Sequence, residues 1–121
     1  TLCYNLHLES RSNDELRLSQ LNEVLKDSTK YDSACLVILA GDLNLDASKP
    51  GIAGALARAG FRDAVPTARV ATTPARHLLE AGHHIDWAFL RGIGQAEAGK
   101  VHRSVTASDH YPITFEFRLP G

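Results

Sequence analysis

Methionine is absent from all 121 residues, the first included. The chain opens inside a strand pattern: in "TLCYNLHLE", Leu2, Tyr4, Leu6 and Leu8 alternate with Cys3, Asn5, His7 and Glu9. No leader or capping segment stands before that pattern. The expectation is the C-terminal part of a larger protein whose preceding portion has been removed. Long apolar runs are missing too, which excludes a segment able to cross a bilayer as a helix. There is no basic excess: 13 Lys and Arg face 14 Asp and Glu, for a net charge of -1. A strong positive field of the kind that marks a tight duplex binder is therefore excluded, although an enzyme needs only a small local basic patch. Cysteine is scarce. Cys3 and Cys35 both lie in apolar strand-like segments and read as small buried hydrophobes rather than a disulfide pair, which leaves the redox compartment open.

What remains is an ordinary globular composition, with 44% hydrophobic and 22% charged residues in a length that suits one domain. After the first strand, "SRSNDELRLSQLNEVLKDS" carries Leu18, Leu21 and Leu25 at helical spacing with Val24 beside them. Ser12 and Glu15 have the spacing of a capping box, and the spacing predicts a helix over 13–26. The unbroken apolar run from Cys35 to Ala40 reads as a strand buried on both faces. "GIAGALARAGF" reads as a short Ala-rich helix that stops at Gly60. The polar stretch 62–82, with Pro66, Pro74 and "ATT", reads as a loop long enough to be functional. "HIDWAFL" is the next strand, a weaker one is expected over 100–105, and Ile113–Phe117 alternates as the last. The pattern β-α-β-α-loop-β-β-β has no internal repeat and no internal boundary, and points to a layered α/β or α+β fold.

Polar residues gather where strands end. "GDLN" (41–44) follows the central run, Asp86 sits at the start of an apolar strand behind His83 and His84, and Asp109-His110 stands just before the last strand. Asn5 and His7 share one face of the first strand. Each has a bland reading. "GDLN" alone is a turn, because Asp and Asn bond their own backbone. His83 and His84 read as surface loop, and the spacing of His77, His83 and His84 fits no usual zinc pattern. Asp86 resists the bland reading, since a carboxylate in an apolar strand needs a partner. Ser108, Asp109 and His110 cannot form a relay among themselves, because neighbours on an extended chain point opposite ways.

Together "NLHLES" (5–10), Arg17 and Gln20, "GDLN" (41–44), "GFRDA" (60–64), "HIDWAF" (84–89) and "SDHYP" (108–112) resemble the endonuclease/exonuclease/phosphatase family, whose fold is that of DNase I. The first half of that family carries an Asn and a metal-binding Glu that no part of this sequence supplies. The resemblance therefore implies that residues 1–121 are the C-terminal portion of the domain, with its N-terminal half absent. The implied fold is half of a four-layer αββα sandwich, a mixed sheet with helices on one face.

The implied chemistry is phosphoester hydrolysis dependent on Mg²⁺ or Mn²⁺, most readily at a phosphodiester, by analogy with nucleases and phospholipid or small-ester phosphodiesterases. By the resemblance Asp42 orients the attacking water, Asn44 binds the scissile phosphate and Asp109 holds the metal. His110 acts as general base or as a donor to phosphate, Asp86 holds its imidazole, and His7 donates to a phosphate oxygen or protonates the leaving group. Arg69, Arg76 and His77 in the long loop are candidates for substrate selectivity. Nucleic acid is a possible partner, as is the missing half of the domain. Self-association through the exposed sheet face is the alternative, with Val37, Leu39, Trp87, Phe89, Phe115 and Phe117 as candidates for that face. The rival from another class is a non-catalytic interaction or scaffold module that keeps part of the fold.

Overall fold

The alternation at the start of the chain forms β1 (Leu2–His7), whose odd-numbered residues Cys3, Asn5 and His7 are exposed while the even ones turn inward. The computed structural model describes residues 1–66, 71–75, 82–92 and 94–119. Helix α1 (Asp14–Ser28) follows. Its N-cap is Asn13, whose side chain accepts the Leu16 N–H at 3.0 Å. The capping signal at Ser12 was thus one residue early, and Asn13 meets the same need for an acceptor at the free helix end. Then come β2 (Val37–Asp42), α2 (Pro50–Arg58) with Pro at the first turn, the two-residue strand β3 (Arg62–Asp63), and β4 (Asp86–Arg91). A hairpin of β5 (Gln95–Val101) and β6 (Ile113–Arg118) ends the fold.

Strands β1, β2, β4 and β3 lie in that order in one sheet. β1 runs parallel to β2, and the other pairs are antiparallel, so the sheet is mixed. Alternation decides what each face buries. Val37 and Leu39 of β2, with Trp87 and Phe89 of β4, pack under Leu21 and Leu25 of α1 and Ile52 and Leu56 of α2. The opposite face presents Leu36, Ile38, Ala88 and Leu90, which pack with Ala64 and Val65 and against Ile113 and Phe115. β2 is covered on both sides, as its apolar run required, and the helices share one face.

Four sequence expectations change here. Val37, Leu39, Trp87 and Phe89 face the helices and are buried, so they form no open sheet face. Among the large apolar side chains that stay exposed are Phe117 at 37%, Val105 at 41% and Leu119 at 58%. Cys3 is exposed rather than buried, because it lies on the open face of β1; Cys35 is half-buried and both thiols are free. The strand expected over 100–105 lies at Gln95–Val101, with an irregularity between Glu97 and Lys100 where Ala98 takes a positive φ of 56°. The stretch 62–82 begins with the short strand β3 rather than as loop. No helix among the described residues is long and apolar enough to cross a membrane.

Candidate active site at the end of the sheet

The pairing register builds the site. His7 of β1 stands opposite Asp42 of β2, and Asp42 stands opposite Asp86 of β4. Paired residues of adjacent strands point to the same side, so the three form a row across three strands spaced about 4.8 Å apart. The row lies on the face away from the helices. His110 approaches it from the segment that leads into β6.

The row is held in place from several directions. Gly41 precedes Asp42 at φ 139°, and a Cβ there would lie 2.0 Å from the Leu6 carbonyl oxygen. Only glycine lets β1 come this close just before the carboxylate. Asp42 Oδ1 accepts the Asn44 N–H at 2.9 Å, and Asn44 itself adopts a left-handed φ of 52°. The "GDLN" segment is therefore a side-chain-capped turn, and it is also part of the cluster. Asn44 Nδ2 donates to the Leu8 carbonyl at 2.9 Å, tying the turn to the end of β1. Arg17 and Gln20 fix the chain beyond that end. Gln20 accepts the Glu9 N–H at 3.0 Å, and the buried Arg17 guanidinium donates to the Glu9 carbonyl at 2.7 Å and to Asp14 at 2.6 Å.

His110 Nδ1 lies 2.8 Å from Asp86 Oδ2. A carboxylate can only accept, so the ring carries its proton on Nδ1 and turns Nε2 toward Asp42 Oδ2, 3.7 Å away. His7 Nε2 lies 3.9 Å from the same oxygen. Both distances exceed hydrogen-bond contact. Among the described residues Asp42 Oδ2 accepts no hydrogen bond, so an open carboxylate oxygen stands between two imidazoles. The side chain of His7 is 74% exposed, whereas Asp42 and Asp86 are largely covered. The hydrogen bond to Asp86 raises the His110 pKa above the ordinary imidazole value, opposed by burial and helped by the charges of Asp86, Asp42 and Asp109.

Asp42, Asp86 and His110 bring one ligand atom each to within 4.8 Å of one another, a spacing one metal ion could bridge. Asp109 is not one of that group: its side chain is exposed and accepts from Ser108 Oγ at 3.3 Å. An open cleft of about 540 Å³ flanks the turn, lined among others by Arg17, Asn44, Lys49 and His83. His83 is exposed, as expected for surface loop, whereas His84 stacks on Trp87 with ring centroids 3.8 Å apart. Arg69, Arg76 and His77 lie outside the described residues.

Sequence reasoning passed over Thr72, which was noted only as part of "ATT". It is fully buried. Its hydroxyl accepts the N–H groups of Ile85 and Asp86, each at 3.1 Å, and its carbonyl accepts the Tyr111 N–H at 2.7 Å. Only the loop's place between two site-bearing segments could have drawn attention to it.

The arrangement can be set beside known proteins. No protein-family model matches the chain, and no curated protein matches it by sequence. Solved structures do match. TDP2 from D. rerio, complexed with a single-strand DNA product, aligns at a TM-score of 0.72 and 22% identity over 97% of this chain and 56% of that one. An endonuclease/exonuclease/phosphatase from Beutenbergia cavernae aligns at 0.71 and 23%, over 95% of this chain and 34% of that one. The fold is that of the endonuclease/exonuclease/phosphatase proteins. A mannosyl-6-phosphatase from Bacteroides thetaiotaomicron has it too, at a TM-score of 0.68 and 20% identity, over 97% of this chain and 51% of that one. The chain spans about half the length of these structures, or less. The endonuclease/exonuclease/phosphatase fold puts His7, Asp42, Asp86 and His110 of this chain at one end of its sheet, on the face away from α1 and α2.

Proposed function

We propose that this chain is the C-terminal portion of a metal-dependent phosphoesterase domain, and that the complete domain hydrolyses phosphodiesters. The observation that carries this reading is the row His7–Asp42–Asp86 with His110 docked on Asp86. Diester hydrolysis needs a positioned water, neutralised phosphate oxygens and a stabilised leaving oxygen. The open Asp42 Oδ2 can accept a water proton and so hold the nucleophile. His110, fixed through Nδ1, offers Nε2 as base to that water or, when protonated, as donor to the phosphate. Asn44 Nδ2 carries a second proton beside the one given to the Leu8 carbonyl, and we assign it to a phosphate oxygen. His7, exposed at the rim, can donate to a phosphate oxygen or give a proton to the leaving group.

The donor set suits a hard divalent cation such as Mg²⁺ or Mn²⁺, which takes few carboxylates and keeps water and substrate oxygens around it. Asp109, exposed beside His110 and outside the Asp42–Asp86–His110 group, is the carboxylate we assign to the ion, and Asp42 keeps its Oδ2 for the water. When bound, such an ion neutralises charge on the phosphate. The space we assign to the substrate is the one in front of the row, bounded by His7, Asn44 and His110; the cleft on the other side of the Asn44 turn is lined by none of His7, Asp42, Asp86 and His110. The DNA product on one structural neighbour and the sugar phosphate in the name of another make nucleic acids and small phosphate esters the first classes to try.

The test is hydrolysis of bis-(p-nitrophenyl) phosphate by the complete domain with Mg²⁺ or Mn²⁺; residues 1–121 alone should give little or no turnover. Chelation by EDTA should abolish turnover. Asp42→Ala and His110→Ala should each lower it by ~10²-fold or more, the scale of one positioned acid–base group. Undiminished activity in EDTA, or in either variant, would remove the assignment.

A further inference from the structure

We propose that Thr72 is a positioning residue for the Asp86–His110 pair, a buried clamp that sets the start of β4 and the His110 segment against each other. The proposal deepens the phosphoesterase reading, because the pair it positions is the one placed in that chemistry.

Thr72 uses all of its bonding capacity. A hydroxyl offers one proton and two lone pairs. Here Oγ1 accepts the N–H groups of Ile85 and Asp86 at 3.1 Å each and donates to the His83 carbonyl at 3.2 Å. The backbone is equally committed: the Thr72 N–H donates to His83 O at 2.8 Å, and its C=O takes the Tyr111 N–H at 2.7 Å. One fully buried residue therefore holds the amide of Asp86 and the amide next to His110. A threonine in a loop ordinarily bonds its own backbone two residues on. Thr72 instead reaches two separate segments, which a local turn does not require.

Its neighbour adds to the clamp. Thr73 Oγ1 accepts the His83 N–H at 2.9 Å. A Cβ at Gly82 would lie 1.9 Å from the Thr73 carbonyl oxygen, so position 82 has room only for glycine. The 71–75 segment and the 82–86 segment are thus pressed together just where Asp86 begins its strand. Correct geometry at an acid–base pair has to be held by neighbours locked in their own packing. A misplacement of about 1 Å can cost ~10²-fold in rate. Docking of the 71–75 segment and alignment of the imidazole are, on this reading, one event.

The experiment compares Thr72→Ser, which keeps the hydroxyl, with Thr72→Val, which keeps the shape, and with Thr72→Ala, each checked for folding by circular dichroism. The first readout is the His110 ring tautomer, from long-range ¹H–¹⁵N correlation at a pH where the imidazole is neutral. The second is amide exchange at Asp86 and Tyr111. The third is kcat and KM on bis-(p-nitrophenyl) phosphate, with the substitutions carried in the complete domain. Thr72→Ser should keep the Nδ1–H tautomer and slow exchange, and stay within about 2-fold in kcat. Thr72→Val and Thr72→Ala should give a mixed tautomer, faster exchange at both amides and at least ~10-fold lower kcat with KM little changed. An unchanged tautomer and unchanged exchange in a folded Thr72→Val or Thr72→Ala would overturn the clamp, as would their loss in Thr72→Ser. If the complete domain hydrolyses no phosphoester, the phosphoesterase reading fails while the two spectroscopic readouts still decide the clamp.

Discussion

His110 donates its Nδ1–H to Asp86 Oδ2 over 2.8 Å, and this bond joins the start of β4 to the segment before β6. Replacing the carboxylate by an amide keeps the shape and removes the charge. Asp86→Asn should leave the fold intact, lower phosphodiester turnover and let the His110 pKa fall toward its ordinary value. The raised pKa means that the pair's contribution to stability is fully present below about 6.5, the ordinary imidazole value. It is lost as pH rises through the higher folded-state value. Thermal melts across this window should show that dependence in the parent chain and a flatter one in Asp86→Asn. The His110 ring-proton titration gives the shift directly. Equal titration curves in both would mean that Asp86 does not perturb the imidazole.

Gly41 is the most constrained position next to the site. Gly41→Ala sets a methyl 2.0 Å from the Leu6 carbonyl oxygen at a φ of 139°. Left-handed strain alone costs ~1–3 kcal/mol, and here the contact is with backbone that cannot turn away. We expect a loss of about 3 kcal/mol or more, read from the urea midpoint. A loss under ~1 kcal/mol would show that β1 can move away from β2 there.

A second charge-linked contact lies on the helix face. Tyr4 Oη donates to Asp27 Oδ2 at 2.5 Å. Burial, and after it the bond to Asp27, push the Tyr4 pKa up to about 12. The phenol must be protonated to donate. The stabilisation is therefore complete below pH ~10 and fades as pH rises toward the shifted value. Absorbance near 295 nm should show one late-titrating tyrosine that vanishes in Tyr4→Phe. Should Tyr4→Phe leave the late part of the titration in place, the contact is absent in solution.

The hairpin and the edge of the sheet leave apolar surface uncovered. Val105, Phe117 and Leu119 are exposed, and among the described residues β1 has a partner strand on one side only. An open strand edge and an apolar patch both favour association. The isolated 121-residue chain should self-associate, or bind the N-terminal half of the domain, and Phe117→Glu should weaken this. Multi-angle light scattering checks it. A monomer at high concentration that does not bind ANS would count against the half-domain reading.

Much of the frame was legible because alternation and helical spacing report burial directly. β1, β6 and α1 follow from those periods, β2 from its unbroken apolar run and α2 from an Ala-rich stretch that stops at Gly60. The site was legible in part, since Asp86 inside "IDWAF" demanded a partner and His110 supplies it. Other features depend on information that period does not carry. Alternation says that Val37 and Leu39 share a side with each other; it does not say which side the helices take. The strand β5 contains Ala98 and Gly99 at an irregularity, which blurs its pattern and shifted the expectation toward Val105. Cys3 looked buried because cysteine usually is, yet it stands on the open face of β1 with Asn5 and His7. Thr72 acts through bonds to distant residues, and no local spacing announces those.

The row His7–Asp42–Asp86 and the docked His110 have a consequence for how the chain reaches its native state. The four side chains are spread from position 7 to position 110 of the sequence, and the strands that carry three of them pair only after long intervening segments have closed. Topologies dominated by such distant contacts fold slowly, because chain entropy is lost before the contacts form. The Asp86–His110 bond cannot form until the last hairpin has docked on the finished sheet. The His110 ring signal is therefore a reporter of complete folding, and chains released early from a ribosome or clipped before Tyr111 should keep helical circular dichroism while lacking that signal.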